Sequence, residues 1–173
     1  MRSGFLLALP SLLWGQTPSS SPPDPLAYRG FVLAAPYAEF TARARALAAT
    51  DSTPLVCNTS RRTAQLMECG ELIRDPTDST GFYLAAYLLE GRVAFLSFGD
   101  SGGAPLVERV QHDLAGRFGR PSASKAGMWE WRSGREVARL TWRGRGPVRW
   151  IYISLWDEAV MDRIVGYVPR STR

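Results

Sequence analysis

The stretch from Gly81 to Gly103, GFYLAAYLLEGRVAFLSFGDSGG, constrains this chain more than any other. Two β-prone apolar runs meet at Glu90-Gly91, where glycine suits the positive φ of a tight turn. The segment therefore reads as paired antiparallel strands over about 81–89 and 92–98. Immediately after it, PLVERVQHDLAGRFGRP places Val107, Val110, Leu114 and Phe118 on one helical face. Pro105 fits the first turn of that helix and Gly119 its C-terminal cap.

The remaining segments extend this pattern. Tyr37, Phe40, Ala44 and Leu47 fall at helical spacing and predict an amphipathic helix over about 36–49. TPLVCNTS and TAQLMECGEL are short extended candidates with one cysteine each, which predicts a hairpin pinned by a disulfide. Asp75 and Asp78 flank a Pro-Thr pair and read as turn formers. GMWEWRS, REVARLTWR and VRWIYISLWD are three strand candidates separated by Ser133-Gly134 and by the turn Gly144-Arg145-Gly146-Pro147. Asp157 is placed to cap a final short helix from Glu158 to Val165, whose Val160, Met161 and Ile164 can close one side of the core. The expected fold class is α+β: an antiparallel sheet with helices packed on one face. The repeated order of helix then strands admits two tandem units, 29–100 and 101–170, within one domain spanning 29–170.

The chain of 173 residues is one domain long, and a mature part of roughly 150 residues can bury about 68–70% of its unfolded surface. Arg2 precedes an apolar run from Phe5 to Trp14 and then a Ser/Pro-rich stretch. This is the grammar of a signal peptide over 1–15 followed by a disordered linker over 16–28, with cleavage expected and an uncleaved anchor as the alternative. The expected location is thus periplasmic or extracellular, with no transmembrane domain after processing. In an oxidising compartment Cys57 and Cys69, twelve positions apart, are expected to be bridged; neither a metal site nor a CxxC redox motif accounts for them. The formal net charge of +5 comes almost wholly from arginine. From Arg117 to Arg149 nine basic residues face only Glu130 and Glu136, which predicts attraction for an acidic partner surface or, alternatively, an ordinary solvated face.

The order of helix, the two cysteine-bearing strands of LVC and MEC, two more strands and then a second helix-plus-strands unit resembles the β-lactamase inhibitor protein fold and its relative, the small outer-membrane assembly lipoprotein fold. The resemblance covers most of the chain after the linker, although the second half carries no cysteine pair. It implies a secreted protein that binds another protein over a concave sheet. Fold analogy does not carry a target with it.

A second, local resemblance tests for chemistry. GDSGGAPLV, residues 99–107, resembles the nucleophile loop of trypsin-type serine proteases, except that Ala104 is inserted before Pro105-Leu106-Val107. Such a nucleophile needs an imidazole within hydrogen-bond reach. His112 is the only histidine, and it lies along the helix that Pro105 opens, whereas Ser101 precedes it. Ser101 is therefore expected to belong to a strand-to-helix turn over Gly99–Gly103, with Asp100 or Ser101 accepting backbone hydrogen bonds at the helix entrance. A serine hydrolase using Ser101 stays as the alternative reading. No metal-spaced histidine set, phosphate loop or forced carboxylate pair occurs, so no metal or cofactor is expected.

Strand alternation puts Trp129 and Trp131, Ala138, Leu140 and Trp142, and Ile151, Ile153 and Leu155 in a core layer. Arg132, Arg139, Arg143, Trp150 and Tyr152 then fall on the opposite face, the candidate binding residues of an exported, non-enzymatic protein that captures a protein or envelope component. The bland reading is that the arginine stems merely cover the aromatic rings. An acidic glycan or nucleic acid is a further alternative ligand, though export argues against nucleic acid.

Overall fold

The computed structural model describes residues 25–48, 52–61, 63–74, 81–144 and 147–167. The signal-like segment 1–15, most of the linker and the Asp75/Asp78 turn lie outside the described residues.

Among the described residues ten strands and three helices follow in the order β1 (Ala27–Tyr28), β2 (Phe31–Val32), α1 (Tyr37–Leu47), β3 (Val56–Thr59), β4 (Leu66–Arg74), β5 (Gly81–Leu89), β6 (Arg92–Gly102), α2 (Ala104–Phe118), β7 (Ala123–Lys125), β8 (Met128–Ser133), β9 (Glu136–Arg143), β10 (Arg149–Asp157) and α3 (Glu158–Val165). Strands β3 to β10 form one eight-stranded sheet in the order β3-β4-β5-β6-β10-β9-β8-β7, antiparallel throughout. The class is therefore α+β, as expected. Each half is a helix followed by a four-stranded meander, and the halves join where their last strands, β6 and β10, pair.

Local chemistry explains the joints. Glu90 and Gly91 both take positive φ, 53° and 74°, the mirror-image turn whose twist suits a two-residue hairpin between β5 and β6. Gly119 ends α2 with φ 75°, and its carbonyl accepts the indole N–H of Trp131 at 2.9 Å. Asp157 caps α3 by accepting the N–H groups of Ala159 and Val160. Cys57 and Cys69 sit directly opposite each other in the β3–β4 register and form the disulfide.

Alternation along the strands gives the sheet one covered and one bare face. Phe82, Leu84, Ala86 and Leu88 of β5, Leu96 and Phe98 of β6, Ile151, Ile153 and Leu155 of β10 and Ala138 and Leu140 of β9 are buried beneath α1 and α2. Trp131 completes this layer, with Trp129 and Trp142 packed at its edge in T-shaped pairs.

Four expectations change. The linker ends earlier than residue 28: Leu26 and Tyr28 are buried, the Leu26 N–H donates to the Glu136 carboxylate at 2.6 Å, and β1 pairs with β2 over the positive-φ turn Arg29-Gly30. Gly99–Gly102 do not turn into α2 but continue β6, because β10 supplies a pairing partner for each of them. Asp100 accepts the neighbouring Ser101 N–H at 2.6 Å, and the N-cap of α2 is Gly103, with no side-chain cap. The third change concerns α3, whose Ile164, Val160 and Met161 join a separate small cluster with Leu66, Leu89 and Ala94. By alternation Leu66 and Leu89 lie on the side opposite the main core, so α3 stands at one end of the otherwise bare face. Finally, Ala123–Lys125 forms a short edge strand, β7, that composition did not signal.

Among the described residues the core holds one misfit. Glu71 of β4 points into the covered face between Cys69 and Ile73, is 4% exposed, and its Oε2 has no hydrogen-bond partner. Burial pushes its carboxyl above the usual value of 4.5.

Candidate functional site

The bare face is organised in rows that cross the strands. The central row runs Gly70, Ala85, Ser97, Ser154, each the register partner of the next across β4, β5, β6 and β10. Small side chains here leave a trough about 14 Å long, since neighbouring strands are ~4.8 Å apart. Two residues along the strands, on one flank, Tyr83 and Tyr152 bracket Gly99; on the other flank stand Tyr87, Phe95 and Trp156. The part of the trough over β4 and β5 encloses about 330 Å³, lined by Gly70, Ala85, Tyr83, Tyr87, Phe95 and Glu68.

Each flank has a local cause. A Cβ at Gly70 would strike the Tyr83 hydroxyl, so the glycine lets that ring lean across the floor. Gly99 leaves room in the same way for the Tyr152 ring, whose atoms lie 3.4 Å from where its Cβ would stand. Tyr87 packs against the α3 cluster and, tilted, against Phe95 at 5.6 Å, so α3 braces that wall. Tyr83 is 54% exposed and Trp150 50%, large apolar rings left in solvent.

All five sequence candidates, Arg132, Arg139, Arg143, Trp150 and Tyr152, lie on this face, as the register shows. Their roles diverge. Arg139 closes the end of the central row but is held by Glu130, with Nη2 to Oε2 at 2.6 Å, and its guanidinium lies 4.8 Å over Trp156. Arg132 donates to the same carboxylate at 2.9 Å and to Glu158 at 2.7 Å, tying β8 to α3. Glu130 is only 6% exposed. Burial raises its carboxyl, but the hydrogen bonds and charges of Arg139 and Arg132 outweigh this and hold it below the usual 4.5. Two of the expected cations are thus neutralised internally, and the face is less basic than its arginine count implies. Arg143 remains available, 5.5 Å over the Tyr152 ring.

Tyr83, Tyr87 and Phe95 did not enter the sequence reading of the site, although the alternation of GFYLAAYLLE already sets both tyrosines opposite Phe82, Leu84, Ala86 and Leu88. What the sequence does not signal is the β6–β10 pairing that brings those rings beside Tyr152.

Ser101 pairs with Trp150 in register and therefore belongs to the bare face, while α2, with His112 exposed upon it, packs on the covered face. The sheet stands between the hydroxyl and the imidazole. Among the described residues no group of histidine, cysteine or acidic side chains is placed to hold a metal, and no helix is long and apolar enough to cross a membrane.

No protein-family model, no curated protein and no solved structure matches this chain.

Proposed function

We propose that this is an exported, non-enzymatic binding protein that captures another protein by taking a protruding segment of it into the trough on the bare sheet face. The observation that carries the reading is the trough itself: a floor of Gly70, Ala85, Ser97 and Ser154 between walls of Tyr83 and Tyr152 and of Tyr87, Phe95 and Trp156. Exposed tyrosine and tryptophan next to a recess is the composition of an interface core, because such rings bury large area at small entropic cost. The ends supply orientation. Glu68 borders the trough over β4, while Arg143 stands beside Tyr152, so a partner segment with a cation toward one end and an anion toward the other is complementary.

Export accounts for the disulfide and for the signal-like residues 1–15. The resemblance to the β-lactamase inhibitor protein fold supports the same reading, since it rests on a helix and strands twice over, the element order of both halves here. The experiment compares the wild-type chain with Tyr83→Ala/Trp150→Ala in capture from a periplasmic or culture extract, with circular dichroism to establish equal folding. Loss of a captured protein by a folded variant supports the trough; equal capture removes this face from consideration.

A further inference from the structure

The covered face carries a different recess. Between α2 and the β1–β2 turn, a cavity of about 210 Å³ opens onto the sheet, floored by Phe82, Phe98, Ile151 and Ile153. This exceeds the roughly 150 Å³ that admits a benzene ring in an apolar protein cavity. Its rim holds two acids and two arginines, and their commitments differ. Asp113 is paired with Arg117 at 2.9 Å, and Asp100 accepts the Ser101 N–H at 2.6 Å. Arg29 stands over Phe82 with its guanidinium 4.2 Å from the ring centroid. Arg109 forms no hydrogen bond, ion pair or ring contact with any described residue, yet lines the cavity beside Val110. An apolar floor with one uncommitted, permanently charged fork at its mouth matches a ligand with an apolar body and one anionic group.

We infer that this cavity binds a free, small carboxylic acid of benzene-like size, its apolar body against Phe98, Leu106, Val110, Ile151 and Ile153 and its carboxylate on Arg109. The site is independent of the sheet-face trough, because it lies on the other side of the sheet and uses none of its rings.

Isothermal titration calorimetry of the intact processed protein with phenylacetate tests this. Saturable one-to-one binding in the millimolar range or tighter is expected. Phenylacetamide should bind about tenfold more weakly or worse, and so should phenylacetate to Arg109→Gln, since each removes one charge-assisted contact. Arg109 is exposed on α2, so this variant should fold normally, which circular dichroism checks. Val110→Phe, which fills the recess, should abolish binding. Absence of saturable heat, equal affinity for the amide, or an unchanged Arg109→Gln variant overturns the proposal. Tighter binding of the tripeptide Gly-Gly-Phe than of phenylacetate overturns it in favour of a peptide C-terminus. Unchanged phenylacetate binding by Tyr83→Ala/Trp150→Ala is expected whatever becomes of the trough.

Discussion

Glu71 offers the sharpest quantitative test of the fold. Its carboxylate sits on the covered face, opposite Leu84 in the β4–β5 register, with one oxygen unpartnered. Leaving a buried polar group unsatisfied costs about 1–3 kcal/mol, and more when it is charged. Glu71→Leu, of similar size, should recover about that amount at pH 7, and Glu71→Gln a smaller part of it. For a chain of 173 residues each kcal/mol moves the melting temperature by roughly 2–4 °C, so the leucine variant should melt about 2–12 °C higher. The pH dependence follows from the direction of the shift. Because the folded-state carboxyl titrates above 4.5, the folded protein binds more protons than the unfolded chain in the window just above that value. The wild type therefore loses stability as pH rises through this window, and the gain of both variants should be largest at neutral pH and shrink on acidification below 4.5. Thermal melts by circular dichroism at both ends of the window read this directly. A wild type more stable than Glu71→Leu at pH 7, or a variant gain independent of pH, would refute the assignment of Glu71 to an apolar, unpaired environment.

Other consequences are simpler to read. Replacing Cys57 and Cys69 together by Ser opens a loop with a sequence separation of 12 and should cost about 2.8 kcal/mol by urea titration in the chain-entropy model, with the edge strand β3 fraying first. Glu130→Gln should lower stability by about 1 kcal/mol at pH 7, discounted for the solvent around both arginines. Since the Glu130 carboxyl is depressed, that difference should persist above 4.5 and vanish as pH falls through the lowered folded value. Gly70→Ala places a methyl group against the Tyr83 hydroxyl on a strand whose backbone accepts any residue; folding should survive with a loss under about 1 kcal/mol while partner capture drops. Wild-type protein should stay unlabelled by a fluorophosphonate probe under conditions that label an activated serine, because Ser101 and His112 lie on opposite sides of the sheet; labelling at Ser101 would reverse that reading.

The parts of this fold that were legible in the sequence are those that local chemistry dictates. Glu90-Gly91 marks its hairpin because only such residues take positive φ cheaply, and α2 announces both ends through Pro105 and Gly119. Alternation likewise separated Ile151, Ile153 and Leu155 from Trp150 and Tyr152. What stayed hidden depends on contacts distant along the chain. GDSGG has turn composition, yet pairing with β10 keeps it extended; two glycines and a serine follow a tertiary ladder as readily as they follow a turn. Leu26 and Tyr28 sit in a Pro-rich context that reads as linker, and only their burial in the core, with Tyr28 edge-on to Phe98, shows otherwise. The pairing on the candidate face is hidden for the same reason, since nothing local reveals that Glu130 takes up both Arg132 and Arg139.

The exposed rings also bound how a partner can sit. Tyr83 and Trp150 are each about half exposed, and a fully buried aromatic side chain removes 150–250 Å² from water, so covering the remainder of both gains roughly 4–6 kcal/mol at ~25 cal/mol per Å². Association itself costs an estimated 4–15 kcal/mol or more. A partner laid flat across the two rings therefore roughly breaks even at best. Useful affinity requires that something also enter the recess before Tyr87 and Phe95, where Ala85 leaves space beside the leaning Tyr83 ring and Glu68 offers an acceptor. This is why the proposed partner contributes a protruding segment rather than a flat surface, and why Gly70→Ala, whose methyl group displaces the exposed Tyr83 ring, should weaken capture as clearly as removal of Trp150.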